Sequence, residues 1–307
     1  MATSIDRDWV LPYLDFMVAE NFEEGLDLKA QYFPQSIYRY RRLNPNTIKS
    51  LTNNNIWLAE VSSLNDPFEG ALQFDNNACL RLWFSSKEFR ESFIQNFGIW
   101  FTDTELEKII KGNNPYTSYL ETCHLKGIHL NLSSEQQAVK AQRRWEEIIN
   151  AESRNVKVAC FSEQNDSIPM WTHYADEHKG ICIEYDFANE DRGEIRAFLS
   201  PVLYSNEVYK VNVFEDFTTT RLIRALLTKS IYWEYEAEWR LTIMKKRNRV
   251  FPETIAAPIP KAIYFGTRFN QNNDKEIVAQ LMQVIKGMNI PFHEMVKHPT
   301  EYRLLKK

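Results

Sequence analysis

Glycine is scarce in this chain, with nine residues in 307. Phosphate cradles made from bare backbone need glycine at fixed offsets, and the patterns G-x-x-x-x-G-K-S/T, G-x-G-x-x-G and G-x-S-x-G are all missing. Their absence argues against a P-loop enzyme, a Rossmann dehydrogenase and an α/β-hydrolase. The four cysteines, Cys79, Cys123, Cys160 and Cys182, are scattered, without a C-x-x-C pair or a histidine-rich neighbour. That argues against a zinc site and a disulfide framework. Cys160 and Cys182 sit in apolar runs, where a buried reduced thiol is expected. A helical zinc protease is excluded too, because His173 and His178 are five apart rather than four.

No apolar run approaches a bilayer span. The start of the chain carries Asp6 and Asp8 where a secretory signal needs a basic start and an apolar stretch. A cytoplasmic location without membrane contact is therefore expected. The net charge of −4 offers nucleic acid no global attraction, although a local basic patch remains open. Hydrophobic residues make up 44% of the chain, ample for a packed core rather than a disordered coil.

Apolar periodicity predicts an N-terminal helix on Trp9, Val10, Tyr13, Leu14 and Met17. Strands are expected at Ser36–Arg41, Ile56–Val61, Val156–Ser162, Ile181–Asp186, 202–204, 239–244 and Ala262–Phe265, with a last one near 291–297. Helices are expected from Asn44-Pro45 onward, across Ile168–His178 with Gly180 as a left-handed cap, from about Phe217 to Tyr232, and across 274–287. Residues of about 78–155 carry helical spacing and many charges in Lys87–Phe97, Thr104–Ile110 and Ser134–Asn150, with a break at Asn113-Asn114-Pro115. The pattern lacks regular βαβ alternation. It predicts one α+β domain over residues 1–307, with a mixed, mainly antiparallel sheet, flanking helices and a helical insertion at about 78–155.

Three segments could carry chemistry. In Trp233-Glu234-Tyr235-Glu236-Ala237-Glu238-Trp239-Arg240, strand alternation would put Glu236, Glu238 and Arg240 on one face. Two carboxylates so close repel unless a cation compensates, and Arg240 is at hand. The bland alternative is a solvated strand face with an ordinary Glu–Arg pair. In Pro169–His178, Trp171, Tyr174, Ala175 and His178 share one helical stripe, while His173 and Glu177 lie on another. Aromatics at that spacing usually build core. The third segment pairs Arg39 and Arg41, whose forked guanidinium groups suit phosphate, with the turn Asn65-Asp66-Pro67-Phe68. That turn is equally well a plain turn before proline.

Taken together, Ile37–Arg41, Ile56–Glu69, Ala159–Ser162, Met170–Asp186 and Lys229–Arg240 resemble a bacterial family known as domain-of-unknown-function family 2971. The order agrees, and the stretch spans about residues 37–245. The blocks Met-Trp-x-His-Tyr-Ala…His-x-Gly and Trp-x-Tyr-Glu-x-Glu-x-Arg carry the resemblance. The family name implies kinship and no chemistry.

The order of strand, short helix, strand, aromatic helix and Glu-x-Glu strand also resembles the ADP-ribosyltransferase fold, which includes DNA-targeting bacterial toxins. That resemblance implies that NAD is a substrate, with its phosphate on Arg39 or Arg41 and Trp171 and Tyr174 lining the pocket. Glu238 or Glu236 would be catalytic. Asn65, Asp66, His173 and Arg240 complete the candidate substrate-binding set. The chain departs from the pattern in lacking a clear Ser-Thr-Ser on a middle strand. The implied function is an NAD-consuming transferase or glycohydrolase, such as a toxin or antiphage effector. Its acceptor would be nucleic acid or protein, its regulator an antitoxin, and no metal is expected. On this view Glu238→Gln abolishes activity and leaves the melting temperature nearly unchanged.

Two other classes stay open. A nuclease or nucleotide hydrolase would gather Asp66, Glu236 and Glu238 around a divalent ion. A non-enzymatic interaction module would use the same residues only to knit strands together.

Overall fold

The computed structural model describes residues 7–74, 76–130, 147, 151, 153–188, 193–211, 219–245, 252–271 and 273–307. The segment 134–150, expected to be helical, lies almost entirely outside the described residues. Contacts divide the chain into two compact units. The first comprises Met1–Gly70, Ser153–Glu207 and Ile223–Lys307, and the second Ala71–Glu152 and Val208–Leu222.

In chain order the strands are β1 (Ile37–Arg41), β2 (Asn55–Trp57), β3 (Ala59–Glu60), β4 (Leu72–Phe74) and β5 (Val156–Ser162). Next come β6 (Ile181–Tyr185), β7 (Leu199–Pro201), β8 (Leu203–Ser205), β9 (Tyr209–Val211) and β10 (Thr228–Ser230). The last are β11 (Glu238–Met244), β12 (Thr254–Ala256), β13 (Ala262–Phe265), β14 (Phe292–Lys297) and β15 (Leu304–Lys306). In the first unit a nine-stranded sheet runs β15-β14-β13-β6-β1-β5-β11-β7, with β3 also on β5. All its pairings are antiparallel except β13–β14. The fold is α+β with a mixed, mainly antiparallel sheet.

Each face of this sheet has its own apolar layer. One face presents Ile37, Phe161, Ile183, Trp239 and Ile263 to the helices Val10–Val18, Pro45–Thr52 and Lys275–Met288. The other presents Tyr40, Cys182 and Tyr264 to the helix Ile168–Tyr174, whose Trp171 is fully buried. Each large side chain so buried stabilises the fold by roughly 1.5–3 kcal/mol. The alternation of tyrosine and arginine along β1 therefore reads as expected. Tyr38 and Tyr40 go to the second face, and Arg39 and Arg41 to the first.

Some expected elements are shorter or broken. The strand expected over Ile56–Val61 splits at Leu58, because the chain changes partners there: β2 pairs with β12, and β3 with β5. The helix expected to reach His178 ends at Tyr174. Asp176, Glu177 and His178 then adopt left-handed φ values of 48°, 53° and 72°. This costly turn is held by the Gly180 N–H on the Ala175 carbonyl (2.7 Å) and the Arg268 N–H on the His178 carbonyl (3.0 Å). Gly180 was expected as a left-handed cap, yet its role is clearance. A Cβ there would lie 2.3 Å from the Arg41 carbonyl oxygen. Of the helix expected over 217–232, the described residues form Thr219–Leu226. The chain then forms β10, parallel to β8, and a 3-10 turn over Ile231–Glu236.

The second unit has four described helices: Asn76–Ser85, Lys87–Phe97, Asp103–Lys111 and Pro115–Leu125. Ser86 caps the second, and Thr102 with Glu105 forms a full capping box on the third. The break at Asn113–Pro115 is a helix start, with Asn114 accepting from the Tyr116 and Thr117 amides and Pro115 in the first turn. Phe84, Phe89, Phe93, Phe101 and Leu106 form its core, and β4 pairs in parallel with β9. Among the described residues, no helix of the chain is long and apolar enough to cross a membrane.

Candidate functional site

Strand register explains how the site assembles. Tyr38 lies opposite Ser162, and Ser162 lies opposite Glu238, so the three share a face. Two residues along, Arg240 lies opposite Cys160 on that same face. Glu236 reaches them by another route than the strand alternation expected from sequence. It ends the 3-10 turn, and Ala237, buried and left-handed at φ 43°, swings the chain into β11.

The result is a chain of buried charges. The Asn65 amide donates to the Tyr174 hydroxyl (3.0 Å), which donates to Glu236 Oε1 (2.6 Å). Lys229 Nζ donates to Glu236 Oε2 (2.5 Å) and to Glu238 Oε2 (3.2 Å). Arg240 grips Glu238 through Nε (2.9 Å) and Nη2 (2.8 and 2.9 Å), and its Nη1 donates to Glu69 and to the Leu226 carbonyl. Glu236, Glu238, Lys229 and Arg240 are all buried. Charge-assisted bonds of this kind are roughly twice as strong as neutral ones.

The two glutamates are electrostatically unlike. Burial pushes Glu238 up, but Arg240 and Lys229 outweigh it and hold the carboxyl at about 2, against an ordinary 4.5. Burial also pushes Glu236 up, the neighbouring Glu238 adds to that, and Lys229 and Tyr174 only partly offset it, so its pKa stays raised. Burial and Glu236 together raise Tyr174, which remains a proton donor. Lys229 is pushed down by burial and lifted further by both carboxylates, so it stays charged.

The opposite shifts have opposite effects on stability. Glu238 contributes fully above about 4.5, and its contribution is lost as pH falls toward about 2. For Glu236 the contribution is complete below 4.5 and is lost as pH rises through its raised value. Urea titrations over roughly pH 3 to 7 should therefore show Glu236→Gln gaining on the wild type as pH rises. A pH-independent difference would contradict the raised Glu236.

These groups line a cavity of about 180 Å³. Its other wall is the place where β1 and β5 part. The two strands pair only at Tyr38↔Ser162, and beyond that pair Arg39–Arg41 and Val158–Phe161 border the cavity. Arg39 and Arg41 thus reach it from the opposite side of the sheet to the glutamates. Arg39 donates to the Trp57 carbonyl (2.8 Å) and lies 5.5 Å over the Phe161 ring. Burial and the neighbouring Arg41 bring it down to about 10, which leaves it charged at neutral pH. Among the described residues, no acceptor bonds Arg41.

Of the expected site residues, the fold brings Glu236, Glu238, Arg240, Tyr174, Asn65, Arg39 and Arg41 together around this cavity. Three others lie away from its lining. Asp66 is buried, and its Oδ1 accepts from the Phe68 amide (2.9 Å), which makes it a turn residue. Trp171 is core, with its indole N–H on the Asn165 carbonyl (2.7 Å). His173 is exposed on the outer side of its helix, beside Tyr174 and Tyr235. Sequence reasoning missed Lys229, Glu69 and Cys160 as parts of the site. Lys229 had one faint signal, since two adjacent glutamates and a single Arg240 leave a buried cluster short of one cation. Among the described residues, no group of three or more His, Cys, Asp or Glu side chains is arranged to hold a metal ion.

No curated protein and no solved structure matches the chain. Residues 170–241, which run from the aromatic helix through Lys229, Glu236, Glu238 and Arg240, match the family described as protein of unknown function (DUF2971).

Proposed function

We propose that this protein consumes NAD, as an ADP-ribosyltransferase or an NAD glycohydrolase. The observation that carries the reading is the unlike pair of buried glutamates on the wall of one small cavity. Glu238 is a fixed negative charge held by Arg240 and Lys229. Glu236 is the better proton acceptor of the two, because burial and the neighbouring Glu238 raise its pKa whereas that of Glu238 is lowered. At about 180 Å³ the cavity lies below the ~300–1,000 Å³ of ordinary ligand sites, so it suits one ring and a ribose rather than a whole dinucleotide.

The chemistry then balances simply. The bond between ribose C1′ and the nicotinamide nitrogen breaks, and its electron pair leaves with the ring, which departs neutral. Positive charge develops on the ribose, and preorganised carboxylates beside it lower the barrier. An acceptor hydroxyl or water attacks C1′, and its proton passes to Glu236. Tyr174 and Lys229 hold Glu236 in place. Arg41 is available for the pyrophosphate. The acceptor is water or a nucleophile on nucleic acid or protein. The setting that fits such an activity is a cytoplasmic toxin or antiphage effector restrained by an antitoxin or regulator.

A metal-dependent nuclease fits less well, because Lys229 and Arg240 already occupy the carboxylate oxygens a divalent ion would need. Incubating purified protein with NAD, with and without EDTA and nucleic acid, tests the choice. EDTA-resistant release of nicotinamide is expected. Intact NAD together with EDTA-sensitive cleavage of nucleic acid would replace this reading by the nuclease.

A further inference from the structure

Arg41 belongs to two cavities. Besides the glutamate cavity it lines a second of about 510 Å³, together with the helix Pro45–Thr52 and strands β2 and β12. The helix starts at Asn44, whose side chain accepts from the Thr47 amide (2.9 Å). Its apolar positions Ile48 and Leu51 turn to the core. Asn46, Lys49 and Asn53, at three-to-four spacing, turn to the cavity instead.

Across from them stands Trp57, 45% exposed. Among the described residues, no other ring packs on its indole. Its backbone is fixed on both sides, by pairing with Thr254 and by the bond from Arg39 to its carbonyl. A large indole left half in water beside unneutralised Arg41 and Lys49 is a platform with a cationic end. Among the described residues of the lining Glu253 is the single acid, against the cations Arg41 and Lys49. At about 510 Å³ it falls within the ~300–1,000 Å³ of small-molecule sites.

We propose that this second cavity is a nucleotide subsite, taking a phosphorylated nucleoside with its base against Trp57 and its phosphate between Arg41 and Lys49. The side-chain amides of Asn46, Asn53 and Asn55 supply donors and acceptors for the base edge and the ribose. This rests on the NAD chemistry proposed above. The nicotinamide riboside half occupies the glutamate cavity, the pyrophosphate sits at Arg41, which lines both cavities, and the adenylate half enters the second cavity.

Calorimetric binding of AMP to the full chain tests it without any turnover. AMP is expected to bind the wild type, and ADP-ribose to compete with it. Stacking contributes enough that Trp57→Ala should weaken AMP binding about tenfold. Trp57→Phe should retain it, and Lys49→Glu, a change at an exposed helix position, should weaken it without touching the fold. Melting curves identify the folded variants. No binding of AMP, or binding that folded Trp57→Ala and Lys49→Glu leave unchanged, overturns the subsite. The two proposals fail separately: NAD turnover without AMP binding removes the subsite and keeps the chemistry at Glu236. Trp57-dependent AMP binding with NAD left intact keeps the subsite and removes the NAD chemistry.

Discussion

Glu236→Gln should lower nicotinamide release by ~10²–10³-fold or more, on the scale of losing a preorganised charge in a water-excluded site. The same change should leave the melting temperature at or above that of the wild type. Glutamine keeps the volume of Glu236 and an oxygen for the Tyr174 hydroxyl. Lys229 loses one anionic partner and keeps the other, Glu238. The like-charge repulsion between the two carboxylates disappears at the same time, and that repulsion contributes to the raised pKa of Glu236. Steady-state kinetics and calorimetry on one preparation check both halves. A folded variant with full activity would remove Glu236 from the reaction.

Glu238→Gln should behave in the opposite way. This carboxylate is the counter-ion of Arg240 and shares Lys229, and all three are buried. Removing one partner of a buried pair leaves charge uncompensated at a cost of ~3–5 kcal/mol. Glu69 and the Leu226 carbonyl still accept from Arg240, so the loss should fall toward the lower end. A denaturant midpoint shifted down at constant slope is the expected signature. Wild-type stability in this variant would show that Glu238 is not the anchor described. The sequence alone led to the reverse expectation, that losing Glu238 would spare the fold. The register supplies the reason, since it stacks Arg240 directly beside Glu238 on the same face of β11.

What could be read beforehand follows a physical line. Local signals were sound: the alternation of Ile37–Arg41, the Asn-Pro helix starts, and the run Val156–Ser162 all formed the expected elements. Glu-x-Glu-x-Arg also pointed to the site, although the convergence comes from a left-handed Ala237 and not from a continuous strand. Lys229 left no more than the faint signal of a missing cation, because its importance is non-local: it lies on a three-residue strand, within a stretch that reads as helix. Trp171 and Asp66 misled because a buried aromatic and a turn-capping carboxylate carry the same local pattern as a binding residue. Their hydrogen bonds to Asn165 and Phe68 give them structural work instead. The second cavity had no sequence signal. Asn46, Lys49 and Asn53 look like any wet helix side until β2 brings Trp57 opposite them.

The parting of β1 from β5 bears on how recognition could be dissected. In a closed sheet the inward edges of Arg39–Arg41 and Ala159–Phe161 would bond one another, but here they border a cavity after a single residue pair. Part of the wall is therefore peptide, with amide and carbonyl groups spaced as a strand spaces them. A planar carboxamide presents one donor side and one acceptor side, which is what such an edge can receive. Alanine scanning cannot delete a main-chain group, so a scan of this pocket would under-report its selectivity. Changes of backbone chemistry, such as an ester bond within Arg39–Arg41 or Ala159–Phe161, reach that part of the wall.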